Sequence, residues 1–410
     1  MEGNMPDSLG VEETDVTDGA DGGGAPEVTT VHAGIIPLLD CAPLVVAAEF
    51  GFAEKHGLKL ELSREPSWAS IRDKVTIGHL DCAHMLGPMV VASTLGVGHV
   101  RTPLIAPMAL GLNGNAITVS SALFDRLQDQ GLDDTDALSG ARALKKVIEE
   151  DRKAGRPPLT FGVVFPFSTH NYELRGWLAG GGINPDFDVR LVVIPPPLMV
   201  ANLDQGLIDG FCVGAPWNAV AVEAGVGEIV VTKSRLWHNG PEKVLGVRQP
   251  WAEAHPRTLK ALIRALVEAA RWTEQPENRG AVAETLAGRA YLDMDSGVLM
   301  RNMAGTLPRS LPGSTVKDPD FITFFRDHAT FPWRSHAAWF TEQMIRWRQI
   351  DQDTDPCAVA ERVYRPDIYR DAVRRLAISA PATDWKSEGT GPDQGRFFGN
   401  AVYEPNCPDA

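Results

Sequence analysis

Two short polar segments of this chain lie between a predicted strand and the predicted helix that follows it. Ser67-Trp68 and Ser168-Thr169-His170-Asn171 each follow a predicted strand and precede a predicted helix. In open α/β sheets, ligands bind at this end of the strands, and the free N–H groups of a helix N-terminus favour an anion. The two segments therefore predict two donor-rich rims that face one cleft.

Four side chains in or near these rims could hold a small anion. Trp68 offers a flat wall and an indole N–H, and His170 a ring N–H. Asn115 offers two amide donors, and Lys243 a compensating positive charge. The sequence leaves ordinary interpretations open: core packing for Trp68, a satisfied or capping role for His170, and a solvated lysine. Residues expected to orient these four are Ser67, Thr169, Asn171, Gly214 and Pro216.

No set of side chains predicts catalysis, a cofactor or a resident metal. The reactive candidates are Cys41, Cys82, His84 and His170. Their spacing does not assemble a nucleophile, a base and an orienting acid. The five cysteines show neither CxxC spacing nor a nearby histidine pair, so we expect reduced thiols without a disulfide framework or zinc site. Asp40, Glu173 and Arg175 are expected to cap helices or to pair between lobes.

The order of predicted elements indicates a two-lobed α/β protein. Strands and helices alternate from Val31 onward, as in a parallel sheet covered by helices. The chain has 410 residues, more than the roughly 250 to 300 at which one core stops growing. Crossings expected at 117–120 and 244–247 would form a hinge. The predicted parts are a disordered acidic leader (1–30), lobe 1 (31–116), lobe 2 (117–243), a return to lobe 1 with a helical part (244–380) and a C-terminal tail (381–410).

Charge and composition exclude several classes of protein. No apolar run approaches the roughly 20 residues that span a bilayer. The net charge is -14, and such a negative field disfavours direct nucleic-acid binding. The first thirty residues contain eight acids and no Lys or Arg. Because they lack a basic start and an apolar core, we do not expect a secretory signal there and predict a cytoplasmic location.

Seven segments carry a resemblance to a known family, in the family's order, across most of residues 31 to 380. They are Asp40–Leu44, Ser67–Asp73, Ala83–Leu86, Leu112–Asn115, Ser168–Arg175, Cys212–Asn218 and Pro241–Gly246. In them the sequence resembles the nitrate- and bicarbonate-binding proteins of ABC transporters, and especially their cytoplasmic relatives, the nitrate/nitrite sensors of the NasS type. The resemblance implies a two-lobed, periplasmic-binding-protein-like (type II) fold with hinge crossovers and a helical C-terminal extension.

The resemblance also implies a ligand, nitrate or nitrite, bound by Trp68, Asn115, His170 and Lys243. Similar transport proteins use the histidine of the Ser-Thr-His-Asn motif. Two positions depart from those proteins. Many carry glutamine at Asn115, and the shorter asparagine makes a bridging water plausible. They often carry glutamate at Ala215, and its loss suits an anion while arguing against a calcium-assisted bicarbonate site.

The resemblance further implies a regulatory role. The implied partner is an RNA-binding antiterminator of the NasT type with an ANTAR domain, which the protein would hold inactive until the anion arrives, and so control nitrate assimilation genes. One alternative is the substrate-binding protein of an ABC transporter for nitrate, nitrite or bicarbonate. Another is an enzyme on the same scaffold, such as the pyrimidine synthases of thiamine biosynthesis.

Overall fold

Two mixed five-stranded sheets, each covered by helices, organise the chain. The computed structural model describes residues 24–309, 314–390, 397–399 and 401–407. Residues 1–23 of the predicted acidic leader and parts of the predicted C-terminal tail lie outside the described residues. We call the parts built on the two sheets the first lobe and the second lobe.

The described part of the chain contains the following strands: β1 (Thr30–Ile35), β2 (Lys59–Arg64), β3 (Cys82–Leu86), β4 (Leu104–Ile105), β5 (Leu112–Asn113), β6 (Asn115–Ser120), β7 (Thr160–Val163), β8 (Arg190–Val193), β9 (Gly210–Gly214), β10 (Gly227–Thr232), β11 (Lys243–Arg248), β12 (Thr306–Pro308), β13 (Thr315–Lys317) and β14 (Ile322–Thr323).

Its helices are α1 (Ala42–Glu49), α2 (Phe52–Lys55), α3 (Trp68–Thr76), α4 (Gly87–Leu95), α5 (Ser121–Asp129), α6 (Ser139–Lys153), α7 (Thr169–Gly180), α8 (Met199–Asp204), α9 (Trp217–Glu223), α10 (Lys233–Leu236), α11 (Gln249–Ala254), α12 (Pro256–Glu274), α13 (Arg279–Ala287), α14 (Ser296–Met303), α15 (Arg334–Arg346), α16 (Pro356–Val363) and α17 (Pro366–Val373).

The strand order shows where the chain passes between the sheets. The first sheet has the order β2-β1-β3-β11-β4, and the second β10-β6-β9-β7-β8. In the first, β1 is parallel to β2 and β3, whereas β11 is antiparallel to its neighbours. Residues 117–120 and 244–247, where crossings were expected, lie inside β6 and β11. The two passages between the sheets therefore come just before Asn115 and just before Lys243.

The region after β11 is mainly helical and packs on the first lobe. Helix α12 contacts α1 and α2, while α15 and α16 contact α4. The buried face of α12 includes Leu259, Leu262, Ile263 and Leu266. These residues recur at helical spacing, which is why this segment forms an amphipathic helix that covers the sheet. Among the described residues, no helix is both long and apolar enough to cross a bilayer.

The C-terminal tail returns to the body of the protein and is fixed there. Cys407 forms a disulfide with Cys357 at the start of α16, with the two Cα atoms 5.5 Å apart. The expectation of five reduced thiols is therefore wrong for this pair. The two cysteines are 50 residues apart, so their meeting depends on the path of the tail and leaves no trace in local spacing. The three remaining cysteines are free and buried.

The tail also contacts the second lobe through Phe398. The Phe398 N–H donates a hydrogen bond to the Leu236 carbonyl oxygen at 2.7 Å. A Cβ atom at Gly176, in the middle of α7, would lie only 2.6 Å from the Phe398 ring. Glycine at this position therefore lets the ring approach the α7 backbone. The tail thus links α7 of the second lobe to α16, which packs on the first.

Candidate anion-binding site

Side chains from both lobes meet in one enclosed site. Trp68 begins α3 and Lys243 begins β11 in the first lobe, whereas His170 lies in the first turn of α7 and Asn115 begins β6 in the second. The Lys243 Nζ atom lies 5.6 Å from the centroid of the Trp68 ring. All four side chains are at most 1% exposed. The structure thus brings together the four residues that the sequence suggested for the anion.

Serine caps fix the helix starts at this site. The Ser67 Oγ atom accepts a backbone N–H from the first turn of α3 at 3.2 Å, so the helix begins at Trp68. The Ser168 Oγ atom accepts a backbone N–H from the first turn of α7 at 3.1 Å, so that helix begins at Thr169. A serine cap satisfies an N–H group that helix geometry leaves unpaired. The two predicted rims are therefore two capped helix N-termini.

Asn171 and Gly214 were also expected to orient the ligand groups, and the structure shows what each of them contacts. The Asn171 side-chain amide donates to the Pro166 carbonyl oxygen at 2.7 Å. It therefore holds the loop before α7. A Cβ atom at Gly214 would lie 3.6 Å from His170 Nε2. Gly214 therefore lies directly beside the histidine ring.

Pro216 lies at the N-terminus of α9, next to a backbone link between the lobes. The preceding Ala215 donates its N–H to the Gly114 carbonyl at 2.7 Å and accepts the N–H of Leu39 at 2.9 Å. Leu39 belongs to the first lobe, between β1 and α1. The end of β9 is thereby hydrogen-bonded to the loop that carries Asp40.

Lys243 is held between two buried carboxylates. Its Nζ atom lies 2.7 Å from Asp40 Oδ2 and 2.8 Å from Glu242 Oε1. The other Asp40 oxygen lies 2.9 Å from His84 Nε2. The helix cap suggested for Asp40 is wrong: no side chain caps α1, because this carboxylate pairs with the buried ammonium instead. A buried charge of this kind is tolerated only when it is paired and hydrogen-bonded.

Glu242 joins this pair to a second one. Its Oε2 atom accepts a hydrogen bond from Asn115 Nδ2 at 2.6 Å and lies 3.2 Å from Lys233 Nζ. Lys233 Nζ in turn lies 2.6 Å from Glu173 Oε1. These contacts form one continuous set of charges. We call it the buried charge cluster, and its members are Asp40, Glu173, Lys233, Glu242 and Lys243.

Five groups at this site were not suggested as parts of it by the sequence: Asp40, His84, Glu173, Lys233 and Glu242. Glu242 directly precedes Lys243 in the Pro241–Gly246 segment, and this adjacency was the available signal. Lys233 carries no such signal, because lysines are rarely buried and nothing in its local sequence marks it as an exception. Arg175 lies outside the cluster and pairs with Asp186 at 2.7 Å.

Burial determines the protonation of the two histidines. It lowers the pKa of His170 to about 3, although Glu242 opposes the shift. It also lowers the pKa of His84, against the opposing effect of Asp40. Both rings are therefore neutral near pH 7. A neutral imidazole has one N–H donor and one acceptor nitrogen, so His170 retains a donor for a ligand.

The cluster carboxylates respond differently to the same burial. Burial raises the pKa of Asp40, but Lys243 and His84 outweigh it and hold the value well below its usual range. For Glu173 burial prevails and raises the pKa, although Lys233 opposes it. The number of ammonium and imidazole neighbours explains the difference: Asp40 contacts two such groups and Glu173 one.

Eight buried polar atoms at the site have no hydrogen-bond partner among the described residues. They are Trp68 Nε1, Thr169 Oγ1, both ring nitrogens of His170, both ring nitrogens of His84, Asp40 Oδ1 and Glu173 Oε1. The last two nevertheless lie at ion-pair distance from His84 and Lys233. The cluster carboxylates each lie within ion-pair distance of an ammonium group. A buried donor left unpaired costs about 1 to 3 kcal/mol. The site therefore favours a small ligand whose atoms accept hydrogen bonds.

The thiols considered as reactive candidates are not activated. Cys41 and Cys82 are fully buried, and burial raises the pKa of each thiol well above its usual range. They therefore stay protonated and are poor nucleophiles. Within the ranges that the structure describes, no three His, Cys, Asp or Glu side chains are grouped to hold a metal ion. The geometry supports ligand binding.

Comparison with known proteins supports the same assignment. The NMT1-like family matches residues 24–287. The chain is 34% identical to the nitrate/nitrite binding protein NrtA of Synechococcus elongatus over 418 residues, covering 98% of this chain and 90% of that protein. It is 36% identical to the nitrate import ATP-binding protein NrtC of Synechocystis, covering 94% of this chain, but spans only 55% of that protein's length.

A solved structure extends the comparison to the fold. The crystal structure of the periplasmic nitrate-binding protein NrtA from Synechocystis matches with a TM-score of 0.82 and 32% identity, covering 88% of this chain and 94% of that one. The predicted two-lobed α/β fold is thereby confirmed. The chain belongs to the NMT1-like family and, within it, to the nitrate/nitrite-binding family of ABC-transporter substrate-binding proteins.

Proposed function

We propose that this protein binds nitrate or nitrite in the enclosed site. The observation that carries the proposal is the set of unpaired donors on Trp68, Thr169 and His170, beside carboxylates that are already paired. Nitrate and nitrite oxygens accept hydrogen bonds and donate none. The nitrate/nitrite-binding relatives support the same choice.

The four suggested ligand residues have distinct roles in this proposal. Trp68 and His170 donate to the anion from opposite lobes, and Lys243 supplies positive charge from 5.6 Å above the Trp68 ring. Asn115 acts mainly through Glu242, to which its amide donates at 2.6 Å. Its contribution to the anion is therefore indirect, either through Glu242 or through a water molecule.

We further infer that the protein is a cytoplasmic sensor of this anion. The resemblance to NasS-type sensors supports a role in which the anion-free protein holds an ANTAR-domain antiterminator and releases it on binding, controlling nitrate assimilation genes. Donors from both lobes favour the closed arrangement when the anion is present. A difference of about 2 to 3 kcal/mol in partner affinity between the two states shifts partner occupancy about 30- to 150-fold.

A second candidate function is that of a substrate-binding protein for anion import. The Cys357–Cys407 disulfide is the observation that favours it, because disulfides persist mainly in oxidising compartments outside the cytoplasm. The NrtC relative, named as a nitrate import protein, is consistent with this role. The two candidates share the ligand and differ in location and partner.

Calorimetric titration with nitrate, nitrite, bicarbonate and chloride tests the ligand. We expect binding of nitrate or nitrite, and at least about a tenfold loss of affinity in His170→Ala, because a donor to the anion is worth about 1.5 kcal/mol or more. His79→Ala makes the same change at an exposed position and should leave the affinity unchanged. Binding of bicarbonate alone would reassign the ligand.

A pull-down with an immobilised ANTAR-domain antiterminator tests the sensor role. We expect the protein to be retained without nitrate and released when nitrate is added. His170→Ala should be retained under both conditions, whereas His79→Ala should behave like the unaltered protein. Absence of retention under either condition, in a protein that binds nitrate by calorimetry, would favour the import role.

A further inference from the structure

We propose that the anion binds together with one proton, and that the carboxyl group of Glu173 in the buried charge cluster takes this proton up. The inference rests on the proposed binding of nitrate or nitrite at the enclosed site. It adds a second ligand, the proton, and a residue that holds it. Glu173 does not touch the anion in this proposal; it acts by changing the charge of the site.

The buried charge cluster already carries more negative than positive groups. Its three carboxylates face two ammonium groups, through contacts of 2.6 to 3.2 Å. All five side chains are at most 5% exposed. The neighbouring histidines are neutral near pH 7 and do not correct the balance. With all three carboxylates ionised, the free site has one excess negative charge.

A bound monovalent anion would double this excess. Like charges repel strongly where water is excluded, because the effective dielectric constant is far below that of water. The anion would also lie next to His170, whose Nε2 atom is 3.8 Å from a Glu242 oxygen. One proton added to the cluster restores the charge of the free site. Uptake of one proton thus lets the anion bind without adding net negative charge to the buried charge cluster.

Glu173 is the carboxylate whose charge has the least support. Asp40 lies against Lys243 and His84. Glu242 lies against both ammonium groups of the cluster and accepts an amide hydrogen bond. Glu173 has one ammonium partner, Lys233, and shares it with Glu242. Asn115 gives Glu173 one further hydrogen bond. Loss of the Glu173 charge leaves Lys233 paired with Glu242, and the neighbouring Glu242 carboxylate favours that loss.

The surroundings of Glu173 on every side agree with this assignment. It faces Lys233 of α10, Asn115 of β6, the Glu242 carboxylate before β11 and the Cys212 thiol of β9. Burial raises its pKa, and Glu242 adds to the rise while Lys233 opposes it. Glu173 also follows His170 by three residues on α7, a spacing that brings side chains to the same helix face. The proton site therefore lies next to the anion-binding rim.

The sign of the pH dependence follows from this arrangement. An added negative charge raises the pKa of Glu173 further, so the anion and the proton favour one another. Between the Glu173 pKa of the anion-free protein and the higher pKa of the complex, each anion brings one proton and the dissociation constant rises about tenfold per pH unit. Below the Glu173 pKa of the anion-free protein, the proton is already present and the dissociation constant becomes independent of pH.

Calorimetry with nitrate, and in parallel with nitrite, in two buffers of different ionisation enthalpy measures the proton directly. At pH 8.5 we expect the binding heat to change with the buffer by an amount equal to nearly one proton taken up per anion. At pH 6 the uptake should be small. Binding without any buffer dependence at pH 8.5 would overturn the inference while leaving the proposed function intact; absence of binding at every pH would overturn the proposed function.

Two variants locate the proton. Glu173→Gln keeps the shape of the side chain and removes its charge, so uptake should disappear and affinity at pH 8.5 should rise at least tenfold. Asp151→Asn is the matched control, because Asp151 is a buried carboxylate paired with Arg126 and Arg156 away from the site; it should retain full uptake. Unchanged uptake in Glu173→Gln would overturn the assignment. If that variant does not fold, the two-buffer measurement on the unaltered protein still decides whether a proton binds.

Discussion

Replacing Lys243 by methionine should weaken the fold itself, even without any anion. The change keeps most of the side-chain volume and removes an ammonium group that lies 2.7 Å from Asp40 and 2.8 Å from Glu242. Removing one partner of a buried ion pair costs about 3 to 5 kcal/mol. His84 and Lys233 still support the two carboxylates, so we expect the lower end, about 3 kcal/mol.

Urea unfolding followed by tryptophan fluorescence measures this loss. With a slope of about 3 kcal/mol per molar urea, the midpoint should fall by about 1 M. Lys55→Met is the matched control: its ion pair with Glu268 is as short, 2.8 Å, but Lys55 is 60% exposed. An exposed pair contributes about 1 kcal/mol or less, so its midpoint should move far less.

A double variant tests the cause. Adding Asp40→Asn to Lys243→Met removes one of the two uncompensated charges and should recover about 1 kcal/mol or more. Equal midpoint shifts in Lys243→Met and Lys55→Met would refute the reasoning. So would a double variant that is less stable than Lys243→Met, because Asp40 would then not be the group that Lys243 compensates.

Three further outcomes are expected. The free energy of unfolding should fall as the pH drops from about 6.5 toward 3, because the unfolded chain binds a proton at His170 that the folded protein, with a pKa of about 3, binds poorly; His170→Gln should flatten the slope of a pH series of urea titrations. Ser168→Ala removes a helix cap and should cost about 1 kcal/mol in the same assay, with weaker nitrate binding by calorimetry as its second readout. Cys357→Ser should lower stability by about 4 kcal/mol, since the disulfide closes a loop of 50 residues; a thermal melt unchanged by both this substitution and reductant would contradict this.

The sequence predicted those features of the site that depend on residues close together along the chain. Ser67 and Ser168 cap the helices that follow them, and each does so through an N–H three residues away. Such a bond depends on residue type and local spacing, both of which the sequence displays. The alternation of strand and helix likewise indicated the two-lobed α/β fold.

The charge cluster could not be predicted in the same way, because its contacts join distant parts of the chain. Asp40 and Lys243 are separated by 203 residues. Local reasoning left a helix cap or a pair between lobes open for Asp40, and the cap was suggested because aspartate before a helix commonly has that role. The tertiary ion pair prevails here, because a buried ammonium without a counter-charge would cost more than a missing cap. Lys233 was overlooked for the same reason.

The C-terminal tail has a thermodynamic consequence for any motion of the lobes. Phe398 rests on Gly176 of α7, the helix whose first turn carries Thr169 and His170, and its N–H is bonded to Leu236. Cys407 of the tail is covalently bonded to Cys357 of α16. Separation of the lobes must therefore either detach Phe398 or stretch the short chain between it and the disulfide. Oxidation of that cysteine pair removes conformations with widely separated lobes from the ensemble. Reduction makes these conformations accessible again.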